Sequence, residues 1–408
     1  MLATLVAALL PAAPASGELR SAQSQRTALK RALTREMGRA SGASGAYVSD
    51  LDSGSALFGW RSSTRRVLAS NTKLFTIAAA LAHDGAEGTI RTRVLGVGVI
   101  DPTGSFAGDL YLRGGGDPTF GTDSYNASRY GGGGSVDELA QALYDRGLRR
   151  VRGGIVGDES VFDSLRGTAY SGYAGSGAIG GPLTGLAYDH GRTSAGRFQT
   201  NPPVYAAARF ADALRKAGVK VDEAASAGQT PDTALELASV ESPPMARIAQ
   251  ITGVRSENWF AETLAKGLSG AGTTSAGAEA ARDHARSLGA TVSIADGSGL
   301  SRGNQAAPKQ VVRFLAGERE RPEFGAFYSA LPRAGVSGTL ANRMRSGAAR
   351  GRCHAKTGTL TGVTTLSGYC ETLGGHDLAF SILMNNSSVT GGRSLQDRMV
   401  QAIARYRG

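Results

Sequence analysis

Of 408 residues only two are cysteines, Cys353 and Cys370, which excludes a cysteine-built scaffold or cluster. Histidine is almost as scarce. The five (His83, His190, His284, His354, His376) show no H-x-x-x-H spacing, so neither a metal nor another cofactor is expected. Nor does any segment beyond the first ten residues approach the ~18 uninterrupted apolar residues of a membrane span. Bases outnumber acids, 45 Lys and Arg to 34 Asp and Glu, for a formal charge of +11. Yet no basic run exceeds pairs such as Arg65-Arg66 and Arg149-Arg150, and aromatics are only 6% of the chain. Without a basic stripe or a nucleic-acid motif, no nucleic acid is expected as a partner. The charge suits polyanionic surroundings instead.

What is present is a globular composition, 41% hydrophobic and 19% charged, at a length that suggests two or three domains. Glycine is abundant, 58 residues, and clusters at Gly114–Gly116, Gly131–Gly134 and Ser171–Gly181, where long mobile loops are expected. The first ten residues are apolar and lead into Pro-Ala-Ala-Pro-Ala-Ser, which reads as a signal peptide over residues 1–17 with Ala13-Pro14-Ala15 as cleavage site. A basic start is missing, and an unfolded Ala/Pro leader is the alternative. Cys353 and Cys370 lie equidistant from a turn at Thr361-Gly362, so an antiparallel hairpin would face them for a disulfide, as in an oxidising compartment; two buried thiols are the alternative.

Along the chain, helical patterns fall at Gln25–Gly38, Leu68–Leu81, Val204–Ala217 and Met245–Leu268, with a terminal helix from about Ser394 to Tyr406. Ser135-Val-Asp-Glu138 is a capping box for another helix, which Gly147 stops. Ala46–Trp60 reads as a hairpin, and strands are expected at Ala355–Thr359, Val363–Tyr369 and Leu378–Met384. Between about residues 90 and 240 the pattern changes to short strands among glycine-rich loops. The fold class is therefore α+β: an antiparallel sheet covered by helices, split into residues 18–90 and 241–408, with a β-rich insertion over 91–240.

Three short constellations could carry chemistry. Ser70-Asn71-Thr72-Lys73 opens a helix, so the hydroxyl and amine share one face, and the helix start favours a developing oxyanion. A desolvated lysine has a lowered pKa and can take a serine proton. Read blandly, Ser70 is an N-cap and Lys73 a solvated first-turn residue. Ser256-Glu257-Asn258 precedes a helix; it is either a capping cluster or a proton-relaying hydroxyl with an amide for a substrate carbonyl. Lys356-Thr357-Gly358-Thr359 lies in a strand. Its lysine and threonine can bind a carboxylate while glycine admits a substrate backbone as an added strand, or it is simply an exposed strand and turn.

Together and in this order, the three are the S-x-x-K, S-x-N and K-T-G signature of penicillin-recognising enzymes. Further stretches, Gly116-Asp-Pro118, Gly157–Ser160, Asp296-Gly-Ser-Gly-Leu-Ser-Arg302 and Gly335–Leu340, extend the likeness from about residue 40 to the C-terminus. The chain resembles the class C low-molecular-mass penicillin-binding proteins, the D-alanyl-D-alanine carboxypeptidase/endopeptidases. The resemblance implies a transpeptidase/β-lactamase-like domain with two nested inserted domains, and nearly half the chain does separate Ser70 from Ser256. It implies Ser70 as acylated nucleophile, Lys73 as base, Ser256 as proton relay and Asn258 as a donor orienting the substrate amide. Lys356 and Thr357 would hold the terminal carboxylate, the Lys356 charge would depress the Lys73 pKa, and the N–H groups of Ser70 and Thr359 would form the oxyanion hole. Implied partners are peptidoglycan stem peptides ending in D-Ala-D-Ala and, as covalent inhibitors, β-lactams, met in the periplasm or outside the cell. Two departures stand out: Glu257 in place of the usual Asp, its side chain expected to point away, and Tyr188-Asp-His-Gly-Arg192 in place of an Asn-containing stretch. A β-lactamase-like hydrolase and a catalytically silent wall-binding module are the alternative readings.

Overall fold

A computed structural model describes residues 16–408; the apolar leader and its Ala13-Pro14-Ala15 site lie outside the described residues. The main sheet joins the two ends of the chain. Its five strands are antiparallel throughout, in the order Cys353–Leu360, Val363–Glu371, Asp377–Asn385, Gly45–Asp50, Ala56–Trp60. The inner strands Val363–Glu371 and Asp377–Asn385 are buried along nearly their whole length because helices cover both faces. Alternate residues feed two cores: Phe380 and Ile382 pack with Leu33 and Met399, whereas Ala379 and Leu383 pack with Phe75 and Phe314. The first core lies under helices Ser16–Met37 and Val389–Ala404, and the second under Thr72–Asp84 and Pro308–Arg319.

Between residues 91 and 241 the chain builds a second sheet around a third core of Val94, Leu112, Ile155, Leu139 and Phe210. The strands Arg91–Gly96 and Leu235–Glu241, where this segment leaves and returns, pair with each other. Two helices, Val136–Asp145 and Pro202–Lys216, cover it; the first is opened by the reciprocal Ser135–Glu138 capping box. Three expectations need correction. Gly114 and Gly115 are not slack: a Cβ on either would sit 2.1 and 2.3 Å from the Gly185 and Arg91 carbonyl oxygens, so glycine here permits backbone contact rather than mobility. The helix expected over 245–268 is two, Met245–Val254 and Asn258–Gly267, broken where Ser256 adopts φ +59°. The terminal helix starts at Val389, capped by the Ser388 hydroxyl, because Thr390-Gly391-Gly392 conceals the start in the sequence. Among the described residues no helix is long and apolar enough to cross a membrane.

Cys353 and Cys370 are directly opposed in the register of the hairpin, and their sulfurs are bonded. Closing a loop of that length stabilises by about 3 kcal/mol through the unfolded chain. Replacing both cysteines by alanine should lower the thermal unfolding midpoint measurably, and the native thiols should resist alkylation until reduced after denaturation. An unchanged midpoint with full labelling would contradict the bridge.

Candidate active site

Ser70 sits in a short 3-10 turn, Ala69–Asn71, ahead of the helix Thr72–Asp84. Ala69 before it has φ +47°, a conformation alanine adopts only under constraint. The constraint is visible: Asn71 Nδ2 donates to the Lys356 carbonyl at 2.7 Å, and Thr365 Oγ1 donates to the Leu68 carbonyl at 2.8 Å. The first ties the turn to the Lys356-Thr357-Gly358 strand and the second to its neighbour Val363–Glu371. A Cβ on Gly358 would fall 2.2 Å from Thr365 Oγ1 and 2.9 Å from Ser70 N. Gly358 therefore lets the strand touch the nucleophile turn, which corrects the expectation that its bare face receives a substrate backbone.

Lys73 is wholly buried. Its Nζ lies 3.2 Å from Ser70 Oγ, 2.6 Å from Asn258 Oδ1 and 2.7 Å from the Ser298 carbonyl oxygen. The last two are acceptors only. In the neutral amine they engage two N–H bonds and leave the lone pair directed at the Ser70 hydroxyl. Burial lowers the Lys73 pKa to about 8 against the opposing charges of Glu262, Asp296 and Glu257. Lys356, equally buried, is held well below the ordinary lysine value by burial first and by the Lys73 charge second. Desolvation is thus the leading cause at both lysines, and the repulsion between their two charges adds to it.

Lys356 Nζ donates to Ser256 Oγ at 2.8 Å and to the Thr357 carbonyl at 2.9 Å, joining the second constellation to the third. It does not line the cleft. That cleft, about 590 Å³, is lined by Ser70, Ser256, Asn258, Thr357 and Thr359 and also by Arg343, Arg393 and Asp397. A carboxylate arriving there meets the Thr357 and Thr359 hydroxyls, which are already bonded to Thr339 (2.7 Å) and Arg393 (3.0 Å), rather than the Lys356 ammonium. Asn258 also lines the cleft: its Oδ1 faces Lys73, while its Nδ2 gives one N–H to the Ala178 carbonyl at 2.7 Å and keeps a second.

The strand Cys353–Leu360 is the edge of the main sheet. Its outward groups alternate. The Cys353 carbonyl and Ala355 N–H are taken by Ala334 and Pro332, so by period two the outward N–H groups beyond this cover are those of Thr357 and Thr359. The edge is thereby closed along its first half and available beside Ser70, where an extended peptide can add.

The two departures from the expected pattern meet in space. The His190 ring stacks on Trp259 with centroids 4.4 Å apart, its Nε2 lies 3.8 Å from Glu257 Oε1, and Tyr130 OH is 3.2 Å from its Nδ1. Glu257 faces this second cavity and not the cleft. His354 stacks on Tyr328 and does not reach the cleft. Sequence reasoning missed Ser298, which acts through a backbone carbonyl that any residue offers, and Arg343 and Arg393, which come from elements remote from the three constellations.

This arrangement, a serine–lysine pair under an edge strand on a helix-covered antiparallel sheet, defines a penicillin-recognising serine protein. The chain belongs to the D-Ala-D-Ala carboxypeptidase 3 (S13) family, which it matches over residues 26–171 and 182–406. A D-alanyl-D-alanine carboxypeptidase of Actinomadura sp. strain R39 is 31% identical, over 90% of this chain and 82% of the relative. Carboxypeptidase DacB of Mycolicibacterium smegmatis is also 31% identical, over 84% and 76%. Among solved structures, penicillin-binding protein 4 of Haemophilus influenzae superposes with a TM-score of 0.76 at 21% identity, covering 92% of this chain and 99% of that one.

Gly358→Ala should place a methyl group against Thr365 Oγ1 and Ser70 N, and overpacking of this kind costs about 1–3 kcal/mol. A lowered unfolding midpoint in a thermal melt checks it, and wild-type stability would show that the strand does not bear on the turn.

Proposed function

We propose that the protein is a serine-type D-Ala-D-Ala carboxypeptidase, able also to cut cross-links as an endopeptidase, that acts on peptidoglycan stem peptides through an acyl-enzyme at Ser70. The observation that carries this reading is the buried amine of Lys73, 3.2 Å from the Ser70 hydroxyl and tied by its other contacts to Asn258 and Ser298.

The stem peptide adds along the edge strand, its terminal carboxylate meeting the Thr357 and Thr359 hydroxyls beside Arg393, which already donates to Thr359 Oγ1. Lys73 Nζ takes the Ser70 proton as Oγ attacks the penultimate D-Ala carbonyl, and the N–H groups of Ser70 and Thr359 receive the oxyanion. Collapse breaks the peptide bond. The Ser256 hydroxyl passes a proton to the departing D-Ala nitrogen and is replenished across its bond to Lys356. The proton that Lys73 took from Ser70 makes good that loss, so Lys73 is neutral again. Water then attacks the ester, its proton going to Lys73 and from there to Ser70 Oγ as the ester collapses, and the shortened peptide leaves. A β-lactam follows the first half of this path and remains esterified to Ser70.

Export to the periplasm or cell exterior is part of the proposal, supported by the apolar leader and by the Cys353–Cys370 bond, which suits an oxidising compartment. So is the division into a catalytic body, residues 18–90 and 241–408, and an insertion over 91–240, supported by the separate third core and the paired strands at its ends. A net charge of +11 favours an anionic wall.

A fluorescent penicillin should label the wild-type protein covalently on a denaturing gel and leave Ser70→Ala dark. A persistent band in that variant, or none in the wild type, would refute the reading. Because Lys73 must be neutral to accept a proton, the acylation rate should rise with pH through about 8 and level off above it. A rate independent of pH from about 6 to 9 would remove Lys73 from the step.

A further inference from the structure

We propose that Glu262 is a positioning residue for the Ser70–Lys73 pair, acting through the loop Asp296–Asn304 that offers Lys73 its third partner. The inference depends on the reading of Lys73 as base. Glu262 lies one helical turn beyond Asn258 on the same face of the helix Asn258–Gly267, and it is wholly buried. Its two carboxylate oxygens accept from successive backbone N–H groups, Gly297 N and Ser298 N, both at 2.9 Å. The carbonyl of that same Ser298 is the oxygen 2.7 Å from Lys73 Nζ. The carboxylate thus grips the peptide unit on one side of Ser298 and thereby aims the carbonyl on the other.

The loop is fixed from two further directions. Thr76 Oγ1, one turn beyond Lys73 on the nucleophile helix, donates to the Gly297 carbonyl at 2.7 Å. Asp296 accepts from Gly299 N, Ser301 N and Asn304 Nδ2, each at 2.7 Å. A Cβ on Gly299 would collide with the Ala69 carbonyl at 1.9 Å, so the loop also lies against the strained residue before Ser70. Helix Thr72–Asp84, helix Asn258–Gly267 and the nucleophile turn therefore all register on this one loop.

A buried carboxylate at this place does a second thing that a neutral clamp would not. The ionisable groups bearing on Lys73 are Glu262 from the second helix, Glu257 from the turn before it, Asp296 from the loop and Lys356 from the edge strand. Burial first and the Asp296 charge second raise the Glu262 pKa to about 7, so it is ionised where Lys73 titrates. There it is the strongest of the carboxylates acting on Lys73, and its charge favours the ammonium form. Removing it lowers the proton affinity of Lys73. Glu262 thus holds the amine in place and keeps its proton affinity from falling further under burial.

Two substitutions separate these effects. Glu262→Gln removes the charge and leaves one of the two loop N–H groups without an acceptor, because the amide nitrogen cannot accept. Thr76→Val loosens the same loop with no change in charge. Acylation by a fluorescent penicillin would be followed against pH for each, with kcat and KM for a D-Ala-D-Ala peptide. For Glu262→Gln, acylation and kcat should fall roughly 10- to 100-fold at little change in KM, and the midpoint of the pH profile should move roughly one unit lower. For Thr76→Val a smaller fall is expected with the midpoint unmoved. If Glu262→Gln does not fold, Asp296→Asn takes its place, with the same downward shift expected. Wild-type rates and midpoint in the charge-removing variant, or an equal midpoint shift in Thr76→Val, would overturn the proposal. A wild-type profile without a Lys73 midpoint would instead overturn the reading beneath it.

Discussion

Two lysine side chains, Lys73 and Lys356, lie wholly inside the protein within each other's electrostatic reach, and this burial is the constraint that the rest of the site answers. An ammonium taken from water is stabilised only by acceptors arranged around it, and two of them repel. Lys73 finds Ser70, Asn258 and Ser298; Lys356 finds Ser256 and the Thr357 carbonyl. Beyond each lysine's own stretch, the acceptors come from the Ser256–Asn258 turn and the Asp296–Asn304 loop, so the lysines can be satisfied only when these are assembled around them. The same desolvation that demands those partners brings Lys73 to a pKa of about 8, where it can exchange a proton near neutrality.

Satisfying the lysines explains several features that otherwise look unrelated. Ala69 is held at positive φ because Asn71 binds the turn to the edge strand and Thr365 binds it to the strand beside that. Ser256 is held at positive φ because its hydroxyl must meet Lys356 while Asn258, two residues on, meets Lys73. The strain at these two serine-bearing turns is maintained by the surrounding bonds. The segment between residues 91 and 241 participates as well. Its Ala178 carbonyl holds the Asn258 amide, and its Pro182 carbonyl holds the Trp259 indole at 2.9 Å, so it braces the Ser256-Glu257-Asn258 turn.

Much of this was legible in the sequence, because it is written in residue types with a local signature. The capping box at Ser135, the hairpin symmetric about Thr361-Gly362, the serine–lysine spacing and the change of composition after residue 90 each reflect a physical rule acting over a few residues. What was not legible acts across the chain. Nothing in Ser298 marks its carbonyl as a lysine partner, and nothing in Gly358 says that the atom it must avoid is Ser70 N. Lys356 carried the right chemistry for a carboxylate, but its burial behind Ser256 is a property of the packed body. Asn258 likewise has donors for substrate, and only the fold shows one of them engaged by Ala178. Glu257 and His190, taken singly, looked like isolated departures; the structure brings them together over Trp259.

The central claim is that buried Lys73 removes the Ser70 proton during acylation. The most direct measurement is the second-order rate of β-lactam acylation in Lys73→Ala, followed by rapid quench and intact-protein mass, with circular dichroism confirming the fold. A general base of this kind contributes about 10²–10⁴-fold. A loss of that size, with the residual adduct still on Ser70, is the predicted result. Acylation within a few-fold of wild type in a folded Lys73→Ala protein would contradict the account.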